Sequence, residues 1–125
     1  MVINCLAVGF GGFIGSALRY LFSLVKFESL AFPITTLVTN VIGSFAIMFF
    51  AGMLSKTLPG NERLLLFLRV GICGGFTTFS TFSAETLTLL ENGNATFGIC
   101  YAVASCIICV LAAWLGQLAA NAFAA

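Results

Sequence analysis

The chain has 125 residues, of which 61% are hydrophobic and only 7% are charged. A soluble domain carries about a quarter charged residues. A folded chain of this length could not hide so much apolar surface from water, and its mean hydropathy is +1.15. Lipid is therefore expected to cover it, and the composition predicts an integral membrane protein rather than a soluble domain.

The charged residues also narrow the possible functions. The net charge is only +1 and no basic cluster is present, so nucleic acid is not an expected partner. The chain has neither His nor Asp. It therefore lacks the side chains for a Ser-His-Asp triad, a Cys-His pair, a histidine metal site or an aspartate dyad. We expect that the protein is not an enzyme.

Four segments are long and apolar enough to cross the membrane, since a spanning helix needs about 20 apolar residues. They cover residues 2–25, 32–55, 62–90 and 95–122, and short polar connections separate them. Pro33 and Pro59 lie near boundaries, and the sequence Asn-Gly-Asn at 92–94 is a turn signal. The sequence thus predicts an all-α membrane protein with a single four-helix domain over residues 1–125.

The orientation of the four segments is weakly specified. One side would carry Lys56, Arg63 and Arg69, and the other side Arg19 and Lys26. The positive-inside rule gives almost no bias for three charges against two. Two interpretations stay open: a weak preference for one orientation, or insertion in both orientations, which would permit an antiparallel homodimer.

The first segment contains a G-x-x-x-G pattern at Gly11 and Gly15, which favours close approach of two helix backbones. Five cysteines lie in apolar stretches, and Cys106 and Cys109 form a C-x-x-C pattern. Because no βαβ context surrounds this pattern, we interpret the cysteines as small packing residues.

The centre of the third segment is unusual for a membrane helix. Two glycines at 74–75 are followed by five hydroxyl residues within the seven positions 77–83. Ser and Thr can bond back to the preceding turn and bend a helix, so a break near the middle is one interpretation. Carbonyls freed there could coordinate a cation, and free N–H groups could attract an anion. The other interpretation of this segment is a kinked but otherwise ordinary helix.

Polar and aromatic residues near this point are candidate site residues. Phe79 and Phe82 share a helical face, and the positive edge of a ring can stabilise an anion. Ser80 offers a hydroxyl beside them. Asn40 needs partners within the second segment, and Thr36 lies one turn earlier on the same face.

Further candidates lie on the fourth segment and near the ends of the spans. Tyr101, Ser105 and Cys109 recur every four residues and predict either a polar track or a seam between helices. Glu85 is a candidate because carboxylates inside membranes are usually functional, unless it lies at the wet interface. Arg19 has the same ambiguity, because long cations reach the interface from helix ends.

The sequence GGFTTFSTFSAE at residues 74–85 is similar to the third-helix signature of the Fluc (CrcB) fluoride channels. The resemblance covers essentially the whole chain, including its length and its four-span layout. It extends to further residues of the first and second segments: Gly11, Gly12, Arg19, Thr36, Thr39, Asn40 and Gly43.

This resemblance implies an antiparallel dual-topology homodimer with two fluoride pores in the bacterial inner membrane, exporting fluoride passively. It implies a structural Na⁺ at the dimer centre, held by the main-chain oxygens of Gly74 and Thr77 from each subunit. The implied fluoride pathway comprises Asn40, Phe79, Phe82, Thr36, Ser80, Tyr101 and Ser105. Arg19 and Glu85 would lie at the vestibules. Cys109 departs from the serine expected there in some relatives, and a thiol is a weaker donor.

Two alternatives use the same layout. A small dual-topology multidrug or cation transporter needs a carboxylate deep in the first helix, whereas the first carboxylate here is Glu28, in a predicted connection. A non-transporting subunit of a larger membrane complex would conduct no ion.

Overall fold

A computed structural model describes residues 1–25 and 32–124, and all regular structure in these ranges is helical. The predicted connection at 26–31, with Lys26 and Glu28, lies outside the described residues. The helices are α1 (Val2–Ser23), α2 (Ile34–Thr57), α3 (Glu62–Leu65), α4 (Gly74–Phe76), α5 (Phe79–Glu91) and α6 (Ala95–Phe123), with a π-helical stretch (Leu66–Cys73) between α3 and α4.

Four helical stretches are long and apolar enough to cross a membrane: Val2–Ser23, Ile34–Thr57, Glu62–Glu91 and Ala95–Phe123. The third combines α3, the π-helical stretch, α4 and α5. The prediction of an all-helical, multi-pass membrane protein with four spanning segments is confirmed.

Local sequence signals mark several helix ends. Pro33 precedes the first residue of α2, where its missing N–H is harmless. Asn61 caps α3 by accepting a hydrogen bond from the N–H of Leu64 at 3.1 Å. The turn between α5 and α6 contains Gly93 at a φ of +77°, a conformation that favours glycine. The turn signal at 92–94 is therefore confirmed.

The helices pack through small residues. Helix α1 lies against the π-helical stretch, and α2 lies against α6. A Cβ added to Gly11 would lie 2.5 Å from the carbonyl oxygen of Phe67, and one added to Gly15 would collide with that of Ile72. On α6, a Cβ at Gly116 would collide with the carbonyl oxygen of Phe45. The predicted close packing at the G-x-x-x-G pattern is thus confirmed.

The backbone changes direction in the middle of the third stretch. Thr77 has φ −74° and ψ 157°, and Thr78 has φ −149° and ψ 113°, so both residues are extended. Helix α4 ends before them and α5 begins after them. The N–H of Thr77 still donates to the carbonyl oxygen of Cys73 at 3.0 Å, so the helical hydrogen-bond pattern is interrupted from Thr78 onward and resumes in α5.

Candidate functional site

The second extended residue, Thr78, is held by an amide from α2. Asn40 Nδ2 donates to the carbonyl oxygen of Thr78 at 3.0 Å, and the N–H of Thr78 donates to Asn40 Oδ1 at 2.8 Å. Thr78 Oγ1 also accepts from the N–H of Thr81 at 3.1 Å and so caps α5. The backbone N–H and carbonyl groups of Thr78 are therefore both satisfied by the Asn40 side chain.

This arrangement diverts the donors that would serve two carbonyls in a continuous helix. The N–H of Thr78 would bond to the carbonyl of Gly74, but it donates to Asn40 instead. The N–H of Thr81 would bond to that of Thr77, but it donates to Thr78 Oγ1. Both carbonyls are left available to another partner.

A guanidinium from α1 reaches the same point. Arg19 Nε donates to the carbonyl oxygen of Gly75 at 3.1 Å, and the Arg19 side chain is half-buried. Unlike the carbonyls of Gly74 and Thr77, the carbonyl of Gly75 therefore has a side-chain donor, the Arg19 guanidinium. This hydrogen bond joins α1 to the interruption and brings a positive charge to the middle of the third stretch.

A cleft of about 280 Å³ opens beside the extended residues, between α2, α5 and α6. We name it the α2–α6 cleft. None of the described residues that line it is charged; they are Asn40, Gly43, Ser44, Ile47, Thr77, Thr78, Phe79, Phe82, Ser105, Cys106 and Cys109. Ser105 is only 5% exposed, and its Oγ has no hydrogen-bond partner among the described residues. A buried hydroxyl without a partner is costly, so this atom is available to a polar guest of the cleft.

Aromatic rings run from this cleft along α5 to α6. The centroids of Phe79 and Phe82 are 5.5 Å apart, and those of Phe82 and Tyr101 are 5.3 Å apart. Phe32 meets Tyr101 edge-on at 5.3 Å. Phe79, at the start of the series, is 78% exposed, whereas Tyr101 is fully buried. The predicted shared face of Phe79 and Phe82 is confirmed.

The Glu85 carboxylate is fixed by two hydroxyl groups. Thr36 Oγ1 donates to Oε1 at 2.7 Å, and the Tyr101 hydroxyl donates to Oε2 at 2.8 Å. Both distances are short for hydrogen bonds between oxygen atoms, so the two hydroxyls hold the carboxyl group firmly. Glu85 is half-buried and joins α2, α5 and α6 through these contacts.

A second cavity of about 340 Å³ lies between α1, α2 and α5, and we name it the hydroxyl pocket. Every lining residue except Arg19 carries a hydroxyl group: Ser16, Tyr20, Ser23, Thr35, Thr36, Thr39, Thr78 and Thr81. A hydroxyl can donate to an anion, and the single guanidinium supplies the only formal charge of this lining.

The predicted site residues fall into distinct groups. Asn40, Phe79, Phe82 and Ser105 line the α2–α6 cleft, whereas Thr36 and Arg19 line the hydroxyl pocket. Tyr101 and Glu85 line neither cavity. Their contacts with Phe82 and Thr36 connect the two groups.

Ser80 lies 3.3 Å, Oγ to Oγ, from Thr78, and it also lines neither cavity. Several hydroxyls of the third stretch bond to the preceding turn, as predicted: the Thr77 hydroxyl donates to the carbonyl of Cys73 and that of Ser83 to the carbonyl of Phe79.

Some residues of these cavities were not expected from the sequence. Ser44 and Cys106 line the α2–α6 cleft, and Ser16 and Thr35 line the hydroxyl pocket. Ser44 lies four residues after Asn40, one turn along the same face, so its spacing was the available signal.

The family profile described as "CrcB-like protein, Camphor Resistance (CrcB)" matches residues 6–117. The chain belongs to this family. It is 46% identical over 125 residues to a protein of Ruminiclostridium cellulolyticum named "Fluoride-specific ion channel FluC", covering 98% of this chain and 96% of the relative. Proteins of the same name are 43% identical in Elusimicrobium minutum, over 91% and 90% of the two chains, and 46% identical in Paramagnetospirillum magneticum, over 91% and 92%.

Proposed function

We propose that this protein is a fluoride-selective ion channel that passively exports fluoride across the bacterial cell membrane, and is not an enzyme. The observation that carries the proposal is the α2–α6 cleft: among the described residues, its lining carries no charge and its Ser105 hydroxyl has no hydrogen-bond partner. Membership of the CrcB family and the names of the relatives support the same function. Neither the multidrug transporter nor the non-transporting subunit receives such support.

The chemistry of the cleft suits a small anion. Fluoride must exchange its water shell for donors that bind it without trapping it. The Asn40 amide keeps a second N–H after its bond to Thr78, and the Ser105 hydroxyl is a free donor. The ring edges of Phe79 and Phe82 add positive partial charge. A series of neutral donors lowers the barrier to entry while no fixed cation holds the ion in the cleft.

The remaining pathway residues extend this route. Arg19 attracts anions at the hydroxyl pocket, which acts as a vestibule, and Thr36 lies at its edge. Tyr101 continues the ring series, and Glu85, which accepts hydrogen bonds from the hydroxyls of Thr36 and Tyr101, lies near one vestibule. Ser80 supplies a further hydroxyl at the start of α5.

The channel unit is an antiparallel homodimer in this proposal, with the third helix interrupted near its middle and two pores. Gly74 and Phe79 are exposed on the single chain, although both lie at the interruption. A second copy would cover them. The near-equal Lys and Arg count on the two sides supports insertion in both orientations.

A structural Na⁺ at the dimer centre fits the donor set. Main-chain oxygens suit a hard cation, and the carbonyls of Gly74 and Thr77 have lost their helical donors. One chain offers two such oxygens, so four require the second copy. The ion would be coordinated by these carbonyl oxygens and would join the two chains, without entering the fluoride path.

Flux from purified protein tests the channel. Liposomes loaded with potassium fluoride and chloride are prepared with Na⁺ present, and ion-selective electrodes follow efflux after valinomycin is added. Fluoride is expected to leave while chloride stays inside. Protein-free liposomes measure the background rate of ion leakage through the lipid. Retention of fluoride in liposomes that contain folded protein would refute the proposal.

The ring contacts are tested by Phe79→Ile and Phe82→Ile. Each change keeps an apolar side chain but removes the positive ring edge, so fluoride flux is expected to fall by about tenfold or more, an effect worth about 1.4 kcal/mol. The matched control is Phe13→Ile, because Phe13 is exposed on α1 and lines neither cavity. Unchanged fluoride flux in both variants would refute the proposed contacts between fluoride and the two rings.

The dimer and its cation are tested without flux. Native mass spectrometry is expected to detect two chains with one bound Na⁺, and replacing Na⁺ by a bulky organic cation is expected to lower the dimer's resistance to dilution. Equal dimer stability in both media would overturn the Na⁺ site.

Dual topology is tested by labelling. Single cysteines introduced at Asn61 and Asn92, in a background without native cysteines, are each expected to react from both sides of the membrane. Labelling of each from one side only would overturn dual topology.

A further inference from the structure

Two thiols share the α2–α6 cleft with the anion-binding groups. Cys106 and Cys109 both line it, and neither forms a disulfide. They are three residues apart within α6, so their side chains lie on the same helical face. The C-x-x-C pattern, interpreted from the sequence as packing, therefore places two sulfur ligands beside one cavity.

An independent observation indicates that the cleft admits polar guests. Ser105 directly precedes Cys106 and is only 5% exposed. Its Oγ has no hydrogen-bond partner among the described residues. A hydroxyl in this state is normally satisfied by water or by a ligand. A small hydrated ion that reaches Ser105 also reaches the two thiols.

We propose that the α2–α6 cleft contains a binding site for a monovalent thiophilic cation of the Cu⁺ and Ag⁺ class, held by the sulfur atoms of Cys106 and Cys109. Soft sulfur ligands select such ions over hard cations such as Na⁺. Thiols bind metals as thiolates, so binding forms two S–Ag bonds and releases two protons to the solvent. No electron is transferred.

Occupation of this site closes the fluoride path, an effect that rests on the proposed function. Two thiolates with one monovalent cation carry a net negative charge. That charge lies in the cleft lined by Asn40, Phe79 and Phe82, where the permeating ion is itself an anion. Repulsion in a partly buried site is screened far less than in water, and the bound cation also fills part of the cleft.

Silver ion is the probe, added as nitrate in chloride-free buffer so that it stays dissolved. In liposomes loaded with potassium fluoride alone, excess Ag⁺ is expected to slow fluoride efflux by about tenfold or more. The repulsion between two close charges exceeds the ~1.4 kcal/mol that corresponds to a tenfold change in rate. Added dithiothreitol should restore the flux. Flux that is indifferent to Ag⁺ would overturn the block.

Two double variants with equal numbers of thiols locate the site. Cys106→Ser with Cys109→Ser is expected to abolish the Ag⁺ effect, measured against that variant's own flux without Ag⁺. Cys5→Ser with Cys100→Ser is expected to keep it, because neither residue lines the cleft. Continued block in the first variant would overturn the assignment to these two thiols.

Direct binding separates this proposal from the channel proposal. In detergent, a chain in which Cys5, Cys73 and Cys100 are replaced by Ser or Ala is titrated with Ag⁺ in a calorimeter. One Ag⁺ per chain with release of protons is expected, and further replacement of Cys106 and Cys109 should remove both signals. Absent binding would overturn the site, whereas binding by a protein without fluoride flux would leave the site standing and refute the channel.

Discussion

The most informative single change is Asn40→Ala, because one amide holds both backbone groups of Thr78. The change removes an acceptor at 2.8 Å and a donor at 3.0 Å from a residue that is only 9% exposed. Each buried backbone group left without a partner costs about 1–3 kcal/mol, so the two together cost about 2–6 kcal/mol. Folded proteins are stable by only about 5–15 kcal/mol, and a loss of this size is easily measured.

Unfolding of the purified protein by increasing SDS, followed by circular dichroism, measures that loss. Asn121→Ala is the matched control, because Asn121 is exposed and its amide meets only Gln117, at a long 3.4 Å. Fluoride efflux from the same Asn40→Ala preparation is also expected to fall, since the extended backbone beside the cleft loses its anchor. If Asn40→Ala unfolds within about 0.5 kcal/mol of the unmodified protein, as exposed substitutions do, the anchoring role is refuted.

Three further predictions concern other contacts. Ser105→Ala should lower fluoride flux without lowering the unfolding free energy, because no described partner is lost; unchanged flux would remove this hydroxyl from the path. Tyr101→Phe keeps the ring but deletes a hydrogen bond to Glu85, so SDS unfolding should show a loss of about 1.5–3 kcal/mol, and no loss would refute the bond. Gly15→Ala should destabilise by about 1–3 kcal/mol, whereas Gly12→Ala, with open space, should not; equal effects would contradict the packing.

The spans and their small-residue contacts could be predicted because their signals are local. Length and apolar composition define a membrane helix within its own segment. The G-x-x-x-G spacing of Gly11 and Gly15 needs only the helical repeat to place both glycines on one face. In the same way, the two glycines and the hydroxyl run mark the stretch where Thr77 and Thr78 are extended.

The partners of the polar side chains could not be predicted, because they depend on how separate helices align. Asn40 meets Thr78 across 38 residues, and Glu85 meets Thr36 across 49. The periodicity of a helix shows on which face of that helix a residue lies. It does not show which residue of a neighbouring helix lies at the same level along the helix axis. The sequence therefore indicated that Asn40 needs partners, while the tertiary structure decides that they are backbone groups.

The π-helical stretch had no recognisable signal. Residues 66–73 read LFLRVGIC, with no proline and no pair of glycines to announce a wider turn. The stretch packs closely against α1, since a Cβ added to Gly71 would lie only 2.8 Å from the Cα of Gly11. This contact joins residues 60 positions apart, so no local pattern within 66–73 could reveal it.

Most polar groups around the interruption serve the structure and not the ion. The Asn40 oxygen, the Thr78 hydroxyl and the Thr77 hydroxyl each have a protein partner within 3.1 Å. The Ser105 hydroxyl and the second Asn40 N–H are among the donors that remain for a guest of the α2–α6 cleft. A lining with few free donors and no charge binds an anion weakly at any one point. Weak binding at successive points is the condition for an ion to enter and to leave. In the proposed channel, the same hydrogen bonds that hold the backbone would therefore also keep the cleft suited to conduction.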